Sequence, residues 1–135
     1  MSGTSAADGL VGKWSSTSAF GNLSLDWANE VKSGTATLHL DFGADGTLTF
    51  CVRDAQEQET TNAFKHTPPS NSRYSVAEKA GRDVIEIKDG YNADVLEWSF
   101  QFDGEGELHL RLEGKAWFRC RGVDNIFMRR IGESD

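Results

Sequence analysis

Residues 35–53 read Thr35-Ala36-Thr37-Leu38-His39-Leu40-Asp41-Phe42, then Gly43-Ala44-Asp45-Gly46, then Thr47-Leu48-Thr49-Phe50-Cys51-Val52-Arg53. Ala36, Leu38, Leu40 and Phe42 alternate with Thr37, His39 and Asp41, and Leu48, Phe50 and Val52 alternate with Thr47, Thr49 and Cys51. A period of two places successive side chains on opposite faces of a strand, so each run has one apolar and one polar face. Asp45-Gly46 supplies turn chemistry between them, and the two runs read as a hairpin.

The pattern repeats outward in both directions. Upstream, Leu10-Val11-Gly12-Lys13-Trp14 opens a strand over Gly12–Phe20. Downstream, Arg73–Ala77 and Asp83–Lys88 are short strands, and Asp94–Phe102 sets Leu96, Trp98, Phe100 and Phe102 on one face. Glu107–Glu113 does the same with Leu108, Leu110 and Leu112, and Ala116–Arg121 and Asn125–Ile131 complete the series. Short strands joined mostly by Gly-containing turns predict an all-β chain, an antiparallel up-and-down β-barrel of about eight to ten strands whose closure removes exposed edges.

Two stretches break the alternation. Between Gly21 and Gly34, Leu23, Trp27 and Val31 fall at i, i+4 and i+8, which predicts at most one short helix, or an ordered loop, over a barrel mouth, with Asn22 or Ser24 as its cap. From Asp54 to Ser72 a polar tract holds Phe64, His66 and Pro68-Pro69. Structureless tracts of this length in a compact domain are usually functional or mobile, and this one is expected to fold back as a lid.

At 135 residues the chain fits one domain, residues 10–135, behind a flexible polar leader at 1–9. Lys and Arg number 14 against 21 Asp and Glu, a net charge of -7, which repels phosphate backbones and anionic headgroups and argues against nucleic-acid partners. No apolar run approaches the ~18 residues of a membrane-spanning helix, and residues 1–9 lack the basic and apolar parts of a signal peptide. No membrane insertion and a cytoplasmic location are therefore expected. Cys51 and Cys120 are the only cysteines and have no CxxC spacing; two free thiols are the expectation, with a cross-sheet bridge as the alternative.

The sequence holds no GxSxG, Walker loop, GxGxxG or HExxH, and neither metal nor cofactor is expected. The acidic turn Asp103–Glu107 lacks calcium-loop spacing and reads as a hairpin turn. His39, Glu97, His109 and Arg111 lie on polar strand faces. With apolar faces turned inward they are solvated; with a polar lumen they would converge as an acid–base cluster, suited to a cofactor-independent isomerase or cyclase. The aromatic set is larger than one barrel plug requires. Trp27, Phe50, Phe64, Trp98, Phe100 and Phe118 are expected to line a central cavity for a small, largely apolar or aromatic molecule. A third expectation, a protein-binding inhibitor or accessory subunit, calls for an exposed apolar patch around Phe20 or Phe64.

Leu10-Val11-Gly12-Lys13-Trp14, the Leu38–Phe50 hairpin and the closing Phe127-Met128-Arg129-Arg130 together resemble the small bacterial lipocalin-like proteins of the calycin group. In that group a Gly-X-Trp opens the first strand, and an arginine of the last strand packs over the tryptophan. The resemblance implies such a clasp from Gly12, Trp14 and one of Arg129 and Arg130, since only one of the two can face inward. A guanidinium over an indole contributes about 0.5–2 kcal/mol, depending on burial. Its role would be to tie the first strand to the last.

Overall fold

The computed structural model describes residues 9–23, 26–64, 71–88, 95–113 and 122–133. It contains β1 (Gly12–Gly21), β2 (Ala36–Phe42), β3 (Thr47–Asp54), β4 (Asn71–Lys79), β5 (Arg82–Lys88), β6 (Val95–Gly104), β7 (Glu107–Glu113) and β8 (Val123–Gly132). An α-helix, α1 (Asp26–Ser33), joins β1 to β2, and a short 3-10 turn spans Thr61–Ala63. Each strand pairs with the next, all antiparallel, and β8 returns to β1 to close the barrel. The expected strand at Ala116–Arg121, the leader at 1–8, and His66, Pro68, Pro69, Phe118 and Cys120 lie outside the described residues.

The alternation read from the sequence becomes the barrel wall. Leu38, Leu40 and Phe42 of β2, Leu48, Phe50 and Val52 of β3, Ile85 and Ile87 of β5, and Leu108, Leu110 and Leu112 of β7 are all buried in one apolar core. Full burial of a Leu, Ile or Phe side chain contributes about 1.5–3 kcal/mol, so this interior is the main source of stability. Between them stand Thr37, His39, Asp41, Cys51, His109 and Arg111, each more exposed than its inward neighbours.

The β1–β8 seam contains two irregularities that the pattern alone does not announce: Lys13 pairs with Gly132 and Trp14 with Arg130, so Ile131 is an extra residue on β8, and a second shift lies further along β1. Ser16 pairs with Met128 and Ser18 with Phe127, so Thr17 is an extra residue. Such a bulge shifts the facing of everything beyond it and bends the strand. As a result Ala19, paired with Ile126, packs against the core, while Phe20 turns out and is 58% exposed.

The two ends of the barrel differ. At one, residues 43–46, 80–81 and 105–106 turn the chain tightly. At the other, β1 is followed by the segment that leads into a helix before β2, and β3 by the described segment 55–64. Helix α1 lies at this second end, with Trp27, Ala28 and Val31 buried. Its acidic Asp26 in the first turn and basic Lys32 in the last both complement the helix dipole. Asn22 does not cap it: the Asn22 side-chain oxygen accepts the Val123 N–H at 2.9 Å, a bond that fastens β1 to β8. Ser24, the other expected cap, is outside the described residues.

Residues 55–64, which follow β3, fold back along that strand. The Asp54 carboxylate accepts the N–H groups of Gln56 and Gln58, each at 2.9 Å, an Asx-type turn that reverses the chain. The Thr60 N–H then reaches the Val52 carbonyl at 2.8 Å, and Thr61 Oγ1 accepts the Val52 N–H at 2.9 Å. The returning chain thus satisfies β3 backbone groups and brings Phe64, partly buried, against the core.

Candidate functional site: the helix-capped end of the barrel

The tight-turn end is plugged. Trp14 is 1% exposed, and its indole N–H donates to the Leu10 carbonyl at 2.8 Å. The Arg130 guanidinium carbon lies 5.9 Å from the centre of the Trp14 ring, and the same guanidinium donates to the Val11 carbonyl. Arg130 is therefore the clasp, while Arg129 pairs with Ser15 and Glu107 on the outward face. Gly12 is required here for two reasons. Its φ of +140° is one that L side chains rarely adopt, and a Cβ would stand 2.9 Å from Arg130 Nε and 3.0 Å from the Gly132 carbonyl oxygen. Phe102 packs 6.4 Å from Trp14, with Phe100 5.7 Å further along. Phe42 meets Tyr74 edge-on at 5.1 Å, and the Tyr74 hydroxyl donates to the Gly43 carbonyl at 2.8 Å.

The helix-capped end has a different composition. Trp27, descending from α1, meets Phe50 edge-on at 5.1 Å, and Phe50 lies 6.4 Å from Trp98 within the same core. Offset and edge-to-face ring contacts of this kind add about 0.5–1.5 kcal/mol beyond area burial. Of the six aromatics expected to line a cavity, Trp27, Phe50 and Trp98 form one connected group beneath the helix. Phe100 belongs by contact to the plugged end, Phe64 reaches the core from the tract after β3, and Phe118 is outside the described residues.

A buried ion pair holds the helix to this end. Asp124 has no exposed side-chain surface, and its Oδ1 accepts from Lys32 Nζ at 2.8 Å and from the Leu23 N–H at 3.1 Å. Lys32 also donates to the Leu23 carbonyl at 2.8 Å. Asp124 and Lys32 were not among the residues that motif reading singles out. Asp124 stands two positions before Ile126 and pairs with Leu112, so it occupies the inward register of β8. Starting the last strand at Asn125 leaves it in a turn; starting it at Val123 reveals a carboxylate in the inward register of an apolar core.

The four candidates for acid–base chemistry all lie on the outer wall. His39 pairs across strands with Ser15 and Cys51, and partial burial, then the nearby Arg53 charge, hold its pKa below the usual 6.5 against a smaller opposing effect of Glu57. Glu97 stands opposite Glu86, and Lys79 bridges both, with its Nζ 2.5 Å from Glu97 Oε2 and 3.1 Å from Glu86 Oε2. His109 stacks on Phe127 at 4.4 Å, with its Nε2 2.8 Å from Asn125 Oδ1, and Arg111 Nε lies 3.2 Å from Glu113. They occupy β2, β6 and β7 facing away from an apolar interior, so they form no cluster in the lumen.

Cys51 is a half-buried free thiol on the same outer face as His39. Among the described residues no group of three or more His, Cys, Asp or Glu side chains is placed to hold a metal ion, and no helix is long and apolar enough to cross a membrane. A cavity of about 220 Å³ opens beside the β1 bulge, and Asp103, Glu107 and Arg129 are among the residues that line it. Near it Phe20 stacks on Phe127 at 5.8 Å. Comparison with protein-family models, with curated proteins and with solved structures finds no match to this chain.

Proposed function

We propose that this chain is a lipocalin-like barrel that binds a small, largely apolar or aromatic molecule in its centre, entered from the helix-capped end. The observation that carries the reading is the inequality of the two ends. A barrel that only had to fold could close both ends with tight turns; here the turns 43–46, 80–81 and 105–106 do so at the end with the Trp14–Arg130 clasp, while at the other the buried helix α1 joins β1 to β2 and the 55–64 segment folds back on β3. Loops collected at one end of a rigid barrel are where binding residues usually reside. The side chains packed beneath α1 are aromatic and apolar, with Trp27, Phe50 and Trp98 in contact, which suits a ligand held by burial rather than by charge. An eight-stranded barrel interior is wide enough for packed side chains or for one small ligand.

Tryptophan emission during titration with 1-naphthol and with dodecan-1-ol tests the proposal. Saturation near one equivalent for at least one of them is expected. The absence of any saturable change with either contradicts it.

The isomerase or cyclase alternative draws no support from His39, Glu97, His109 and Arg111, since all face outward. A protein-binding role has one specific observation in its favour, the outward stack of Phe20, 58% exposed, on Phe127. Phe20→Ser would abolish binding of such a partner while leaving small-molecule titration unchanged.

A further inference from the structure

Among the described residues three buried side-chain polar atoms have no hydrogen-bond partner: Asp41 Oδ1, Arg111 Nε and Asp124 Oδ2. The first two stand on outward strand positions, and Arg111 Nε is within ion-pair distance of Glu113. Asp124 Oδ2 differs, because its carboxylate is wholly buried and occupies the inward register of β8 at the helix-capped end. Leaving a buried acceptor unmet is costly, and native proteins rarely do so without a reason.

We propose that Asp124 Oδ2 is the polar anchor of the ligand site, accepting a hydrogen bond from a neutral O–H or N–H on an otherwise apolar ligand. This assignment rests on the binding function proposed above. The choice of a neutral donor follows from the charge already present. Lys32 Nζ, 2.8 Å from Oδ1 and itself only 14% exposed, compensates the carboxylate charge. What Oδ2 lacks is a proton donor, and a second cation brought into the same apolar surroundings would be left without a counter-charge. Helix α1 gains a second role from the same pair: the group that secures it over the lumen also orients the carboxylate, through Lys32 and the Leu23 N–H, so that one oxygen stays free.

Calorimetric titration with 1-naphthol and with 1-methoxynaphthalene, nearly equal in shape but with the donor removed in the second, tests the assignment. At neutral pH the wild-type chain is expected to favour 1-naphthol by about tenfold or more, the range for a buried hydrogen bond to a charged acceptor. Asp124→Asn keeps an oxygen for Lys32 and Leu23 but turns the free position into a donor, and should shift the preference toward 1-methoxynaphthalene. Equal affinities in the wild-type chain, as expected if only water meets Oδ2, overturn the assignment while leaving the binding function standing. If neither compound binds, the binding function fails and the anchor with it. Should Asp124→Asn not fold, the wild-type pair of titrations decides the question alone.

Discussion

Trp14 fills the tight-turn end with its ring under Arg130 and its indole N–H on the Leu10 carbonyl, so its removal empties a buried aromatic position. Trp14→Ala is expected to cost about 3–5 kcal/mol in denaturant unfolding, the usual range for such a site. Gly12→Ala meets both an unfavourable φ and the Arg130 guanidinium, and should cost about 1–3 kcal/mol by the same measurement. His39 supplies a prediction in pH. Its folded pKa lies below the unfolded 6.5, so the unfolded chain binds more protons just below that value. Its contribution is therefore fully present above pH 6.5 and lost as pH falls through the folded pKa; His39→Gln should flatten the stability profile in that window relative to wild type. At this scale the sequence carried Gly12 and Trp14 outright, because a glycine and a tryptophan two apart have few other uses at the start of a strand. It left the choice between Arg129 and Arg130 open, which only strand register decides.

Helix α1 is an amphipathic segment too short to be stable alone, and it persists because Trp27, Ala28 and Val31 are buried and Lys32 reaches Asp124. Replacing Lys32 by Met leaves the Asp124 carboxylate buried without a counter-charge, which should destabilise the fold by about 3–5 kcal/mol. Amide exchange should locate part of that loss in α1, with little change at the tight turns. The helix was legible in part, as one of two readings, a short helix or an ordered loop: Trp27 and Val31 at i and i+4 share its buried face, whereas Leu23, the third residue of that spacing, is buried but lies before the helix begins at Asp26. Its attachment was not legible, because Lys32 and Asp124 are 92 residues apart and neither stands in a motif. The Thr17 bulge was hidden for a related reason: Ser-Ser-Thr-Ser carries no apolar alternation in which an extra residue could be noticed.

The whole molecule is a closed eight-stranded barrel with one end plugged by Trp14 and the other covered by helix α1. Fold class was readable because apolar alternation and local turns recur through most of the chain, each hairpin repeating the evidence of the one before. The site was less readable, since the aromatics that line an interior and those that plug it obey the same alternation; only ring contacts separate Trp27, Phe50 and Trp98 from Phe100 and Phe102. That division supports the central claim that the two ends serve different purposes, and indole N–H resonances report on it directly. In a 1H–15N titration with 1-naphthol, the Trp27 and Trp98 indole signals are expected to shift together and saturate, while the Trp14 signal, bonded to Leu10 at the plugged end, stays in place. A shift confined to Trp14, or no saturable shift of Trp27 and Trp98, would contradict the account.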